Sequence, residues 1–343
     1  MSVDSRTEPR GVRIRRRLVT IPRLLLFLVL TTVTLPLLVV VALLVDVVRW
    51  VVSRKPLIAV RMVLFMWAFL VISTGGVTWM FLNWIMAGFG RRKESMVHNA
   101  YQVQRWWARS LFASVGGLFG FEVSIEGHEL VRPGPIIAMF RHASIVDNLL
   151  PAVLITDREK MELRWIIKRE LLADPALDVG GNRLPNYFVA RTSMNPEEEI
   201  DRISGLADGL DEDGGVLIFP EGTRFTEEKR RRILKRLEKR DPDLFARAQQ
   251  FTNLLPPRLG GPLALMDKGI DVVFCGHHGL GGFAHLKDIW GGDMVGQKIS
   301  VKFWRVAATD IPSDEAGRRG LLLDQWQQMD DWITSVQEAQ TDA

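Results

Sequence analysis

The chain has 343 residues, 47% of them hydrophobic and 24% charged, with a formal net charge of +4. That length admits one large domain plus an accessory segment, and the lone Cys275 excludes an intramolecular disulfide framework and fits a reducing compartment. Residues 1–93 carry 14 Lys or Arg against 3 Asp or Glu, while the remainder is net acidic. The basic pI therefore belongs to the amino-terminal part, and no RNA- or DNA-binding module is recognisable.

In chain order, the basic start (Arg13, Arg15, Arg16, Arg17, Arg23) leads into residues 24–45, which hold no charge, and residues 62–90 are again uncharged, followed by Arg91, Arg92 and Lys93. Each run exceeds the roughly 20 apolar residues that span a bilayer core of about 30 Å. The basic flanks predict a membrane-anchoring helical hairpin over 1–93, with both ends on the cytoplasmic side. The link between the runs carries Arg49, Arg54, Lys55 and Arg61 against Asp46 alone. A shallow hairpin within one leaflet therefore competes with two full spans. A cleaved signal peptide does not fit, because its apolar core is shorter and is followed by a small-residue cleavage site.

From 94 to 343 the pattern is that of a separate folded domain. Residues 94–118 have helical spacing. Strands are predicted at 121–126, 136–140, 165–168, 187–190, 216–219, 272–275 and 299–303, with helix-like segments between several of them. This alternation indicates an α/β fold, a mixed central sheet flanked by helices. A basic helix is predicted over 226–250, with Ile233, Leu234 and Leu237 as a narrow apolar strip. Such a helix fits either a solvated face or contact with anionic headgroups. An amphipathic helix through Leu321, Leu322, Trp326, Met329 and Ile333 closes the chain.

Two short motifs carry the chemistry. In Arg141-His-Ala-Ser-Ile-Val-Asp147, five helical steps would put His142 and Asp147 about 140° apart, so they meet only across a bend. A short strand before and a helix-compatible run at 148–154 after provide that bend, letting Asp147 hold the His142 tautomer for general-base work. Ser144 is set aside as a nucleophile, since two residues along a bend need not face one another. The second motif is Phe219-Pro-Glu-Gly-Thr-Arg224. His277 and His278 invite a metal reading with His142 or Asp271, but no Cys or acidic cluster stands at ligand spacing, and a loop after a strand is the simpler placement.

Together these motifs resemble the glycerolipid acyltransferases. His142, Ser144 and Asp147 match the family's His-x4-Asp block; Phe188-Val-Ala-Arg191 matches the end of its second block; Glu221 to Arg224 match its Glu-Gly-Thr-Arg block. Lys168-Arg-Glu-Leu171 resembles its Lys-x-Glu-Leu stretch. Arg141 stands where Asn is frequent, Pro185 where Gly is usual, and residues 271–276 match the fourth block only in character. Residues 225–229 and 253–258 look most like the lysocardiolipin-type subgroup and its membrane-bound bacterial relatives.

The resemblance implies the glycerolipid acyltransferase fold over 94–343 and transfer of a fatty acyl group from acyl-CoA or acyl carrier protein to a lysophospholipid hydroxyl, foremost that of 1-acylglycerol 3-phosphate. It implies His142 as base, Asp147 as its partner, and no cofactor or metal. Arg224 and Arg191 are the expected phosphate clamps, because guanidinium forks match phosphate oxygens. Lys168 and Arg258 are further candidates, with Glu221, Gly222 and Thr223 shaping the same site. Integral attachment to a bacterial inner membrane is implied, with the catalytic domain in the cytoplasm. Acylation or transacylation of another lysophospholipid, such as lysophosphatidylglycerol or lysocardiolipin, and an inactive membrane scaffold are the competing readings.

Overall fold

The computed structural model describes residues 8–189, 195–281 and 286–341. Among these, seven strands form one sheet: β1 Glu122–Glu126, β2 Ile136–Phe140, β3 Glu162–Lys168, β4 Tyr187–Val189, β5 Gly214–Ile218, β6 Asp271–His278 and β7 Lys298–Val306. Their spatial order is β1-β7-β6-β2-β5-β3-β4, with β6 and β7 antiparallel and every other neighbouring pair parallel. The central strands β2 and β5 are buried at every position, the continuous apolar pattern of parallel strands covered on both faces. β1 alternates between half-buried and exposed positions, as an edge strand does.

The helices are α1 Arg10–Ser53, α2 Ala59–Met86, α3 Lys93–Phe119, α4 Pro175–Gly181, α5 Pro196–Ser204, α6 Glu227–Arg240, α7 Pro242–Ala248, α8 Gly260–Met266, α9 Leu286–Gly291 and α10 Glu315–Thr341. On one face of the sheet, Phe140, Leu217 and Val273 pack with Ala108, Val115 and Phe119 of α3 and with Leu150 and Ile155. On the other, Ile137, Val216 and Phe274 pack with Ile203, Leu244, Leu263 and Trp326, from α5, α7, α8 and α10. The mixed α/β sheet flanked by helices is thus as expected, with an apolar helical segment before it.

One local expectation is corrected. The single basic helix over 226–250 is two helices, because Pro242 has no N–H to continue α6 and Asp241 leaves the helical backbone, its carboxylate accepting from the Leu244 N–H at 3.0 Å. The run after Asp147 is helical as anticipated, in consecutive pieces Val146–Asn148, Leu149–Pro151 and Ala152–Asp157, the last a widened turn that bonds the Arg158 N–H to the Val153 carbonyl at 3.0 Å.

α1 and α2 lie side by side, and the chain doubles back between them. Asp46 accepts N–H bonds from Ile58, Ala59 and Val60 at 2.9–3.0 Å, which caps the amino end of α2, and Trp67 donates to Thr32 at 3.1 Å. Both helices are long and apolar enough to cross a membrane. Most of α1 is bare: Leu26, Val33, Leu37, Leu44 and Val52 are among its many exposed large apolar side chains. That surface is far beyond what water tolerates.

Both ends of α1 nevertheless meet the α/β body. Near its start, Arg16 and Arg17 pair with the buried Asp178 of α4 at 2.8 and 3.2 Å. Near its end, Arg49 donates to the Trp290 carbonyl of α9 at 2.7 Å and stacks 4.4 Å from that indole centroid. These contacts are about 50 Å apart along the helix. α4 and α9 both follow the carboxyl ends of strands, so α1 runs along that edge of the sheet.

Candidate active site

The carboxyl ends of β6, β2, β5 and β3 are neighbours, and the chemistry-bearing side chains sit there, where open α/β sheets ordinarily bind ligands. Motifs eighty residues apart converge because β2 and β5 pair in register, Met139 opposite Ile218. His142 leaves β2 and Glu221 leaves β5; Phe225 N–H donates to the His142 carbonyl at 2.8 Å, tying the two loops together.

The bend anticipated between His142 and Asp147 is present. His142 Nδ1 lies 3.1 Å from Asp147 Oδ1, while Asp147 Oδ2 accepts from the N–H groups of Ala143 and Ser144, both at 2.6 Å. The Asp147 N–H in turn donates to Ser144 Oγ at 3.1 Å, so the buried serine closes the turn. Burial alone would raise the Asp147 pKa, but its hydrogen bond to His142 and the nearby imidazoles hold it below the usual carboxylate range. With Nδ1 held by a carboxylate, Nε2 is the His142 nitrogen left for proton transfer.

Two further groups brace this pair from beneath. Glu221 is buried, with Oε1 accepting from the His142 N–H at 2.8 Å and Oε2 from the Leu255 N–H at 3.0 Å. Its two oxygens hold backbone, so it sits under the site and does not line it as a substrate contact. Burial pushes its pKa up to about 8, opposed by those N–H bonds and by Arg141. His277, expected in a loop after a strand, belongs to β6. Its Nε2 lies 3.6 Å from Asp147 Oδ2 and 3.2 Å from the Arg141 carbonyl. Burial lowers its pKa to about 4, so it is neutral at neutral pH. No sequence signal marked it, because its place under Asp147 follows from the pairing of β6 with β2, Phe140 opposite Cys275.

Above the pair lies a group of cations. Gly222 has φ +65°, and a Cβ there would meet Arg258 Nε at 2.6 Å, so only glycine lets that guanidinium lie across the turn. Lys229, at the start of α6, donates to the Arg224 carbonyl at 2.8 Å and to Thr223 Oγ1 at 3.2 Å. Lys168 is exposed at the tip of β3. Partial burial lowers its pKa, and so does repulsion from Arg258, Lys229 and Arg224; Lys229 is lowered similarly by burial, Arg224 and Arg232. Lys168, Arg224 and Arg258 are thus brought together as the sequence predicts, Lys229 joins them unforeseen, and Arg191 lies outside the described residues. Arg141 points away, donating to the His277 and Asn253 carbonyls.

A buried carboxylate–imidazole pair thus shares one sheet edge with a group of mutually repelling cations. Residues 122–260 match the family model described as Acyltransferase. Its fold resembles that of the 1-acyl-sn-glycerophosphate (LPA) acyltransferase PlsC from Thermotoga maritima, with a TM-score of 0.54 over 81% of this chain and 96% of that one at 16% identity. No curated protein matches the sequence.

Proposed function

We propose that the protein acylates a lysophospholipid, foremost 1-acylglycerol 3-phosphate, using an acyl thioester of CoA or acyl carrier protein. The observation that carries this reading is the His142–Asp147 pair facing the Lys168, Arg224, Lys229 and Arg258 group at one sheet edge. The cations hold the acceptor phosphate. His142 Nε2 takes the proton of the acceptor hydroxyl as its oxygen attacks the thioester carbonyl carbon. The tetrahedral intermediate then collapses, the C–S bond breaks, and the proton passes to the departing thiolate. Asp147 stabilises the imidazolium in between. Glu221 and His277 hold the pair in place.

The bare surface of α1 and α2 supports attachment to a membrane, and the contacts of both α1 ends with one edge of the α/β body support a pair lying within one leaflet. A spanning pair would put Arg16 and Arg49 on opposite sides of a core about 30 Å thick. Cysteine labelling at Ser53 with an impermeant reagent tests this: reaction from the catalytic-domain side supports the one-leaflet arrangement, and reaction from the opposite side alone overturns it.

The acylation itself is tested by incubating purified enzyme with a panel of lysophospholipids and thioester donors and following products by mass spectrometry. Acceptor-dependent release of the thiol with a new diacyl product is the expected result. Product from two phospholipids without any thioester would replace this reading with transacylation, and no product from any pair would leave a scaffold.

A further inference from the structure

A cavity of about 340 Å³ lies beside the catalytic pair, unused by the chemistry described so far. Arg141 and Ala143, the chain neighbours of His142, line it at the exit of β2, and His278 lines it at the end of β6. Asn253, Gln337 of α10 and Thr226 close it, Gln337 donating to Asn253 at 2.9 Å. It therefore lies on the β6 side of His142, whereas Lys168 and Arg224 stand at the carboxyl ends of β3 and β5, on the other side of β2.

The walls are polar and carry little free charge. No carboxylate lines the cavity among the described residues. Arg141 is buried, and its guanidinium donates to the His277 carbonyl and, at 3.0 Å, to the Asn253 carbonyl, so no open fork is left for a phosphate. Its Nε has no acceptor among the described residues. Burial and the nearby Arg141 lower the His278 pKa, which keeps that ring neutral at neutral pH. Such walls suit an uncharged chain of amide groups, with its carbonyls and N–H groups, better than they suit an anion.

The face of the sheet matters as well. Arg141 continues the side of β2 that bears Ile137 and Met139, and His278 the side of β6 that bears Val272 and Phe274, both packed by α8 and α10. α2 and α3 cover the opposite face, with Met62 and Phe65 packed against that core. The cavity is thus on the side of the sheet away from the apolar hairpin.

We propose that the cavity receives the amide-bearing arm of the thioester donor, the phosphopantetheine chain common to CoA and acyl carrier protein. This rests on the acyl transfer proposed above. A donor whose carbonyl carbon meets the acceptor hydroxyl at His142 keeps its sulfur clear of the acceptor phosphate, and the cavity is on that side of His142. The halves of the donor also differ in kind: the acyl chain belongs with the bare apolar surface of α1 and α2, and the polar arm with the face turned away from it.

The test compares acyl-CoA, the acylated carrier protein and the S-ethyl thioester of the same fatty acid, which has no arm, with the full chain in neutral detergent micelles. Two variants alter the cavity without touching the cations or the His142–Asp147 pair: His278→Leu, and Gly281→Phe, where a Cβ meets no atom within 4 Å among the described residues. Each is expected to raise KM for a donor with the arm by about tenfold, the scale of a lost hydrogen bond or two, while acceptor KM and turnover of the S-ethyl thioester hold. A rise with one carrier alone supports the proposal and identifies the donor. Unchanged KM for both carriers overturns it, and so does an equal loss with the S-ethyl thioester. Binding of free 4′-phosphopantetheine, followed by ligand-detected NMR, needs no turnover and is expected to weaken in both variants. Wild-type affinity in both, in an enzyme that yields product in the acceptor panel, would overturn this inference and leave the acylation standing.

Discussion

The two sides of His142 differ in kind. Beneath it, Asp147, Glu221 and His277 are buried, Asp147 and Glu221 accepting backbone N–H groups and His277 bonding the Arg141 carbonyl. Above it, Lys168, Arg224, Lys229 and Arg258 are partly solvated and repel one another. The lower side holds buried polar groups whose hydrogen bonds run largely to backbone, which fixes the base in one geometry. The upper side keeps like charges together, a strain that a bound anion relieves. Damage below should lower turnover and stability, and damage above should weaken the acceptor alone.

The largest effect is expected at the boundary between them. His142→Ala should cost about 10² to 10⁴ in rate, as loss of a general base does, with melting temperature and vesicle attachment retained. Turnover near normal in a folded His142→Ala protein would remove the base assignment.

Acid should act through the lower side. His277 is neutral in the fold with a pKa near 4, against an ordinary value of 6.5, so the unfolded chain binds the extra proton first. Stability from this residue is complete above about pH 6.5 and is lost as pH falls toward 4. Thermal melts across that window should show a decline that His277→Gln lessens; a variant with an unchanged pH slope would show that His277 does not contribute.

Glu221→Gln replaces one of two acceptor oxygens by an amide NH2, leaving either the His142 or the Leu255 N–H unpaired. A stability loss of about 1–3 kcal/mol is expected, with turnover falling more than acceptor KM rises. Chemical denaturation and steady-state kinetics read the two separately, and a KM-only change would move Glu221 into the binding side.

Gly222→Ala meets both the positive φ and the Arg258 guanidinium, at a cost of about 1–3 kcal/mol that the enzyme can meet by displacing Arg258. Acceptor KM should rise while donor KM holds. Smallest of all, Lys229→Gln removes one partly screened charge and should raise acceptor KM only a few fold. Equal shifts for donor and acceptor in either variant would erase the distinction between the two sides.

The sequence by itself determined the alternation of strands and helices, the two long apolar runs, and the residues of the His142–Asp147 and Glu221–Arg224 motifs, because hydrophobic period and local bend geometry act over a few residues. It also anticipated Lys168 and Arg258 as part of one cationic site. It left open which strands are neighbours, and that pairing is what brings β6 against β2 and sets His277 beneath Asp147. Lys229 was legible only as one of eight basic residues on a helix; its place beside Arg224 depends on how α6 leaves the β5 turn. The break at Asp241 was written in Pro242, which has no N–H to continue a helix. For α1 the uncharged length allowed a span or a surface-lying helix equally, since hydropathy records how much apolar surface there is and not where it lies. Only the tertiary contacts of Arg16, Arg17 and Arg49 with the α/β body locate both ends of that helix, because ion pairs and stacking between residues more than a hundred positions apart leave no periodic trace in the chain.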